Sequence, residues 1–155
     1  GSKVDGISKV KNVVEVASDS AITADDLIDL QSAVKDAFQQ NAVWIMSPKT
    51  RAAIRKLKDQ NGRYLLQDDA TSSFGNTLLG KPVYVSDNMK DITASTIAIY
   101  YGDMSGLAVK ITEEMEVQVL REKYATQHAV GVVAWMEFDA KIENEQKIAA
   151  LKMGA

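Results

Sequence analysis

Apolar positions along the chain fall into short extended runs and two helical stripes. Lys9 to Val16 reads K-V-K-N-V-V-E-V, a valine-rich segment expected to be extended. Thr23 precedes Ala24-Asp25-Asp26, an N-cap followed by acids in the first turn, and Leu27, Leu30, Val34 and Phe38 follow at helical spacing. The pattern predicts a helix over about 24–39. Ala42-Val43-Trp44-Ile45-Met46 is almost wholly apolar, as in a strand buried on both faces. Ser47-Pro48 restarts a helix, with Ser47 as N-cap and Pro48 at the first helical position. That second helix is expected to run to about Asp59, with Ala53, Ile54 and Leu57 toward the core, and to stop at Asn61-Gly62.

Beyond it the period changes. Residues 67–80 read as a long polar loop. Lys81 to Ser86, Thr96 to Tyr101, Leu107 to Ile111 and Met115 to Leu120 read as strands, the last two separated by a turn at Thr112-Glu113-Glu114. From Thr126 to Phe138 the residues alternate. Val130, Val132, Ala134, Met136 and Phe138 lie on one side with His128, and Ala129, Val133 and Trp135 on the other, which predicts a long strand largely covered on both faces. Residues 143–152 are ambiguous: Glu143 to Gln146 favour helix, whereas Ile148 to Lys152 alternate. Two helices and about six strands without βαβα alternation predict the α+β class.

Composition narrows the function. The chain has 155 residues, a formal net charge of −3, 46% hydrophobic and 25% charged residues, one histidine and no cysteine. Disulfides and thiolate metal sites are excluded, and a lone histidine leaves no His-cluster site. No apolar run approaches the ~18 residues of a membrane span. The mild acidity argues against nucleic-acid binding over the whole surface. Gly1-Ser2 has the look of a cloning scar.

Several stretches resemble chemistry without supplying it. Gly75 to Lys81 spells GxxxxGK, the letters of a phosphate loop, but Pro82 stands where a magnesium-binding Ser or Thr is needed, and a strand follows instead of a helix. Arg51, Arg55 and Lys58 fall at i, i+4 and i+7 on the second helix, with Lys49 and Lys56 nearby, a stripe expected to be a solvated face or an inter-subunit contact rather than an anion or nucleic-acid site. Glu113, Glu114 and Glu116 are expected at a turn in water. Glu137 sits between Met136 and Phe138, where a carboxylate belongs at an interface or in a pair. His128 is expected to be structural. No catalytic residue, metal site or cofactor is expected.

Four stretches taken in order resemble a known family. They are Asn41 to Pro48, Leu57 to Leu65 (L-K-D-Q-N-G-R-Y-L), Leu79 to Val83 (L-G-K-P-V) and Tyr101 to Met104 (Y-G-D-M), preceded by Asp5-Gly6-Ile7. They resemble the major capsid proteins of tailed phages with the Hong Kong 97 fold, over nearly the whole chain from about residue 5. The resemblance implies the C-terminal portion of such a protein: a mixed sheet with two flanking helices (the axial domain), plus a long strand of the peripheral domain. It implies a linking segment at 3–20, the axial domain at 21–120, a peripheral strand at 121–145 and a returning strand at 146–155. The family's N-terminal arm, extended loop and spine helix would precede this segment, making it a truncated or proteolysed piece.

The implied role is structural, a shell subunit forming pentamers and hexamers around a genome, with no enzymatic activity. Asn61, Gly62, Arg63 and Tyr64 would face the capsomer centre. Partners would be copies of itself, scaffold and portal proteins, and packaged DNA without sequence specificity. The setting would be the virion, and the host cytoplasm during assembly. Some members cross-link a Lys to an Asn with help from a Glu; the Glu place falls near Glu137, but the Asn place falls near Val130. The alternatives are an encapsulin-type nanocompartment shell and a small enzyme or nucleotide-binding domain.

Overall fold

The computed structural model describes residues 6–58, 62, 64, 66–68, 76–120 and 131–155. Eleven segments organise it: β1 (Val13–Glu15), α1 (Ala24–Ser32), β2 (Val43–Met46), α2 (Pro48–Arg55), β3 (Leu66–Asp68), β4 (Asn76–Leu78), β5 (Lys81–Val85), β6 (Ile97–Gly102), β7 (Leu107–Leu120), β8 (Gly131–Ile142) and β9 (Ile148–Lys152). Seven strands form a mixed sheet in the order β1-β9-β6-β2-β5-β4-β3, and β7 with β8 forms a separate two-stranded ribbon. The β1–β9 and β2–β5 pairs are parallel, the other pairs antiparallel. The predicted α+β class is the observed one.

Alternation along the central strands divides the core in two. Trp44, Met46, Ile99, Tyr101, Ala149 and Leu151 pack with Leu27, Leu30 and Ile54 of the two helices. Tyr100, Ile148 and Ala150 point to the opposite face, against Val10, Ile7, Met104, Leu107 and Ile142. The two helices therefore pack on the sheet that holds β2, β5 and β6, as the apolar stripes require. The last strand is interior to the sheet: β9 lies between β1 and β6, and Ile148 through Leu151 are fully buried. Burial against two neighbouring strands decides the ambiguous 143–152 segment, overriding the helix propensity of Glu143 to Gln146. β1 falls within the segment expected to be a linker and closes one edge of the sheet beside β9.

Both helices are shorter than the periodicity predicts. α1 starts as expected, with a capping box in which Thr23 Oγ1 accepts from Asp26 N at 3.3 Å and Asp26 Oδ2 accepts from Thr23 N at 2.7 Å. It ends at Ser32 rather than near 39, because distant side chains take up its last carbonyls. Gln39 Nε2 donates to Gln31 O (2.6 Å) and Val34 O (2.9 Å), and Asn12 Nδ2 donates to Ala33 O (2.9 Å). Phe38 keeps its place against the core from a separate 3-10 turn, Asp36–Phe38. α2 ends at Arg55, after which Lys58 pairs with Tyr64 in an isolated antiparallel bridge.

Two further expectations are corrected. The polar stretch 67–80 includes β3 and β4, which pair with one another; residues 69–75 lie outside the described part. Leu107 to Leu120 is one strand, so Thr112-Glu113-Glu114 is no turn but part of β7.

Candidate assembly surfaces

The start of α2 is clamped from a loop far along the chain. Ser47 Oγ accepts from Thr50 N at 3.2 Å, as an N-cap should, and donates to Asp91 Oδ1 at 2.8 Å. Asp91 also takes Lys49 Nζ at 2.8 Å. At the other end, Lys58 Nζ stands 4.9 Å from the centre of the Tyr64 ring. The basic stripe predicted on this helix is thus partly spent on intramolecular contacts at Lys49 and Lys58.

The hydrogen bond from Lys49, and after it the one from Ser47, hold the Asp91 carboxyl below the usual carboxylate range. A lowered folded-state pKa gives stability that is complete above the ordinary value and is lost as pH falls below it, through the lowered one. Urea denaturation followed from about pH 5 downward is expected to show a shallower loss of stability in Asp91→Asn than in the parent. Identical acid limbs would mean that this clamp is not formed in solution.

Of the four residues expected at a capsomer centre, Gly62 and Tyr64 can be placed; Asn61 and Arg63 lie outside the described residues. Gly62 has φ +79°, the left-handed conformation that glycine adopts freely, so it serves the excursion between α2 and Tyr64. The bridge to Lys58 ties Tyr64 back toward α2, with 55% of its surface exposed. An exposed aromatic ring beside a cation suits protein contact.

Of the phosphate-loop letters, Asn76 to Lys81 fold as part of a β-hairpin; Gly75 lies outside the described residues. β4 runs into β5 through Leu79 (φ +49°) and Gly80 (φ +77°), a two-residue turn with both central residues left-handed. Lys81 is in β5, its Nζ 3.4 Å from Gln40 O, so no helix N-terminus follows the lysine. Magnesium-ATP is expected to leave the melting temperature unchanged, whereas a native-state ligand at 100-fold its Kd would add about 2.7 kcal/mol. A shift abolished by Lys81→Ala would contradict the hairpin reading.

The ribbon is the most unusual surface. Directly opposed pairs share a face. One face carries Val109 opposite Ala140, Ile111 opposite Phe138, Val117 opposite Ala134, and Val119 opposite Val132. The other carries Lys110 opposite Asp139, Ala108 opposite Lys141, and Gln118 opposite Val133. Between Ile111 and Glu116 β7 takes five steps where β8 takes three from Phe138 to Trp135, so two residues of β7 are extra. These bulges put register position 113 opposite Glu137, on the charged face, where plain alternation would set it beside Ile111. At 109, 111, 117 and 119 of β7 and at 132, 134, 136, 138 and 140 of β8 the apolar face carries no charge.

That face is open. Val109 and Ile111 are each 58% exposed, Val132 64% and Phe138 52%. The expectation that both faces of this strand are covered is corrected for residues 132–138, which are exposed; among the described residues the core reaches the ribbon at its base, where Leu107 and Ile142 pack with Tyr100 and Ile148. Apolar alternation was visible in the sequence, but Val133 and Trp135 on the second face suggested cover there too. His128 and Val130 lie outside the described residues.

Nothing described gathers into a reaction centre. Among the described residues no three His, Cys, Asp or Glu side chains are placed to hold a metal ion, and no helix is long and apolar enough to cross a membrane. A cleft of about 270 Å³ is lined by Lys9, Lys11, Lys141, Ile142 and Glu145, with Lys11 bound to Glu145 at 2.7 Å. Another of about 240 Å³, lined largely by apolar groups, lies beside Ile22, Ile54, Leu57 and Ile92.

Solved structures share this arrangement. The capsid of the empty GTA particle, computed with C5 symmetry, matches with a TM-score of 0.77 at 27% identity, over 92% of this chain and 50% of its own. The structure from Gordonia phage Cozz matches at 0.67 and 17%, over 95% of this chain and 51% of its own. The holo-SrpI encapsulin complex of Synechococcus elongatus matches at 0.60 and 19%, over 91% of this chain and 52% of its own. The chain thus spans about half the length of the structures it matches. The two of lower identity establish the fold alone. No curated protein matches the sequence. The Phage capsid family model matches residues 1–153, so the Hong Kong 97-like arrangement of sheet, paired helices and long ribbon has a sequence counterpart, and the chain belongs to the phage capsid family.

Proposed function

We propose that this chain is a structural subunit of an icosahedral phage or prophage-derived shell, assembling with copies of itself into pentamers and hexamers around a genome. The observation that carries this reading is the family match over residues 1–153, joined to the close fold match with the capsid of a GTA particle. The role is architectural, not enzymatic. The likeness to an encapsulin, at 19% identity, supports a common fold and adds no separate case for a cargo compartment.

The seven-stranded sheet with α1 and α2 serves as the axial piece. Asn61, Gly62, Arg63 and Tyr64 serve at the capsomer centre, where Tyr64 has the exposure such a contact needs. The pairing of β7 with β8 apart from the main sheet supports moving the start of the peripheral piece from 121 back to Leu107, so that the axial piece ends before β7, with the segment from 146 returning to the axial sheet. Scaffold and portal proteins, and non-specific contact with packaged DNA, complete the set of partners, in the host cytoplasm during assembly and in the virion afterwards.

Mass spectrometry of particles purified from producing cells tests this reading. Peptides of this sequence are expected as the most abundant protein component. Particles whose shell is made of another protein, with this sequence absent, would refute it.

A further inference from the structure

Residues 7–16 lie along one edge of the main sheet with little to hold them. Their strand, β1, has three residues, stands at the end of the sheet order and pairs on one side only, with Ala150 to Lys152 of β9. Val10 is the one buried side chain between Ile7 and Glu15. The ion pairs Lys11–Glu145 (2.7 Å) and Glu15–Lys152 (2.8 Å) are exposed, so solvent screens both. The cleft of about 270 Å³ opens between Lys9 and Lys11 of this segment and Lys141 and Ile142 at the base of the ribbon. The other edge of β9 is held differently. It pairs with β6 from Ile97 to Gly102, with core on both faces. Few buried apolar groups and exposed backbone hydrogen bonds give a segment a low free energy of local opening.

We infer that residues 7–16 form a strap that opens as one unit while β9 stays in place beside β6. Asn12 is its bolt. The Asn12 backbone carbonyl accepts from Ala150 N at 2.9 Å, and Asn12 Nδ2 donates to Ala33 O at 2.9 Å, just past the end of α1. One residue thus ties the strap to β9 and to the helix layer together. The strap pivots where it meets 17–21, a mostly exposed stretch whose Ser18 carbonyl is fixed by Gly154 N at 3.0 Å. Opening bares the β9 edge from Ala150 to Lys152, a row of backbone groups able to take up another strand. It also lets the chain before residue 17 change direction relative to the sheet without unfolding it. The inference does not rest on the shell reading, because every contact it uses lies within this chain.

Amide-resolved hydrogen exchange on the whole folded chain tests it. Val16 N donates to Lys152 O at 2.9 Å and Ala150 N to Asn12 O, so both amides report the strap; Met153 N donates to Thr96 O at 2.8 Å and reports the β6 side of the same segment. After correction for intrinsic rates, Val16 and Ala150 are expected to exchange together, at least about tenfold faster than Met153 and the protected amides of β2 and β6. Asn12→Ala is expected to speed Val16 and Ala150 by about 2–10-fold, the effect of one lost hydrogen bond, and to leave Met153 unchanged. Val83→Ala, a core change in β5, is expected to lower the melting temperature and speed Met153 while leaving Val16 and Ala150 as they were. Ala150 exchanging at the rate of Met153 would overturn the proposal, since strap and sheet would then open only together. An Asn12→Ala chain with parental rates at Val16 and Ala150, or a Val83→Ala chain in which all three amides speed up equally, would overturn it as well.

Discussion

Trp44→Ala is expected to lower the stability of the fold by about 3–5 kcal/mol, the range for deleting a large aromatic side chain from a packed core. Trp44 is wholly buried in the middle of β2, its ring 4.3 Å from that of Tyr101 on β6. Its indole N–H donates to Leu78 O at 3.0 Å, joining β2 to β4, which lies just beyond β5 in the sheet. Removal therefore opens a cavity in the core that the helices cover and leaves a buried carbonyl without its donor. For a chain of this size each kcal/mol corresponds to about 2–4 °C in melting temperature, so thermal unfolding by circular dichroism is expected to move down by roughly 10 °C or more. Trp44→Phe, which keeps most of the volume but not the donor, is expected to fall between the two. A Trp44→Ala chain that melts with the parent would show that β2 is not at the centre of the core.

Gly102→Ala is expected to damage the fold comparably, by roughly 2–6 kcal/mol from backbone strain and overpacking together. Gly102 ends β6 at φ +145°, a region that side-chain-bearing residues rarely enter. A Cβ there would stand 2.1 Å from Lys147 O and 2.8 Å from Ile148 Cα. Both atoms are backbone at the entry to β9, so no rotamer change relieves the clash. The same corner holds Asp103 N against Lys147 O at 3.0 Å, where the chain leaves the sheet for the ribbon. Shifting β9 disturbs the strand that stitches β1 to β6, and the variant is expected to be largely insoluble or to melt well below the parent. A soluble Gly102→Ala chain of unchanged melting temperature would mean that β6 and β9 do not approach as closely as described.

Much of this fold was legible in the sequence where the signal is local. The capping residues Thr23 and Ser47-Pro48 marked both helix starts. The β2, β5 and β6 runs announced themselves as continuous apolar stretches. Pro82 alone was enough to reject a phosphate loop, and the hairpin at Leu79-Gly80 bears that out. What was not legible depends on contacts distant in sequence. The end of α1 is set by Gln39 and Asn12 reaching its carbonyls, which no helical periodicity records. The insertion of β9 between β1 and β6 follows from pairing with strands far earlier in the chain, as Gly102 with Ile148 and Val13 with Ala150. In the ribbon, two register shifts between Ile111 and Glu116 break the plain alternation that a strand pattern predicts.

The candidate capsomer-centre residues were legible only through family resemblance. No burial, charge or spacing rule singles out Asn61 to Tyr64 beyond the Asn-Gly pair in the sequence, and the structure adds only the left-handed Gly62 and the exposure of Tyr64. The ribbon face was present as alternating valines but could not be recognised as open. Whether an apolar face is covered depends on what packs against it, and that is a fact of three dimensions.

Cryo-electron microscopy of particles formed when the gene encoding this chain is expressed tests the central claim most directly. Closed shells are predicted, with the β1-β9-β6-β2-β5-β4-β3 sheet and its two helices repeated around five-fold and six-fold centres and Tyr64 near those axes. Particles in which density for this fold is absent from the shell, or expression that yields only soluble protein and no shells, would contradict the assignment.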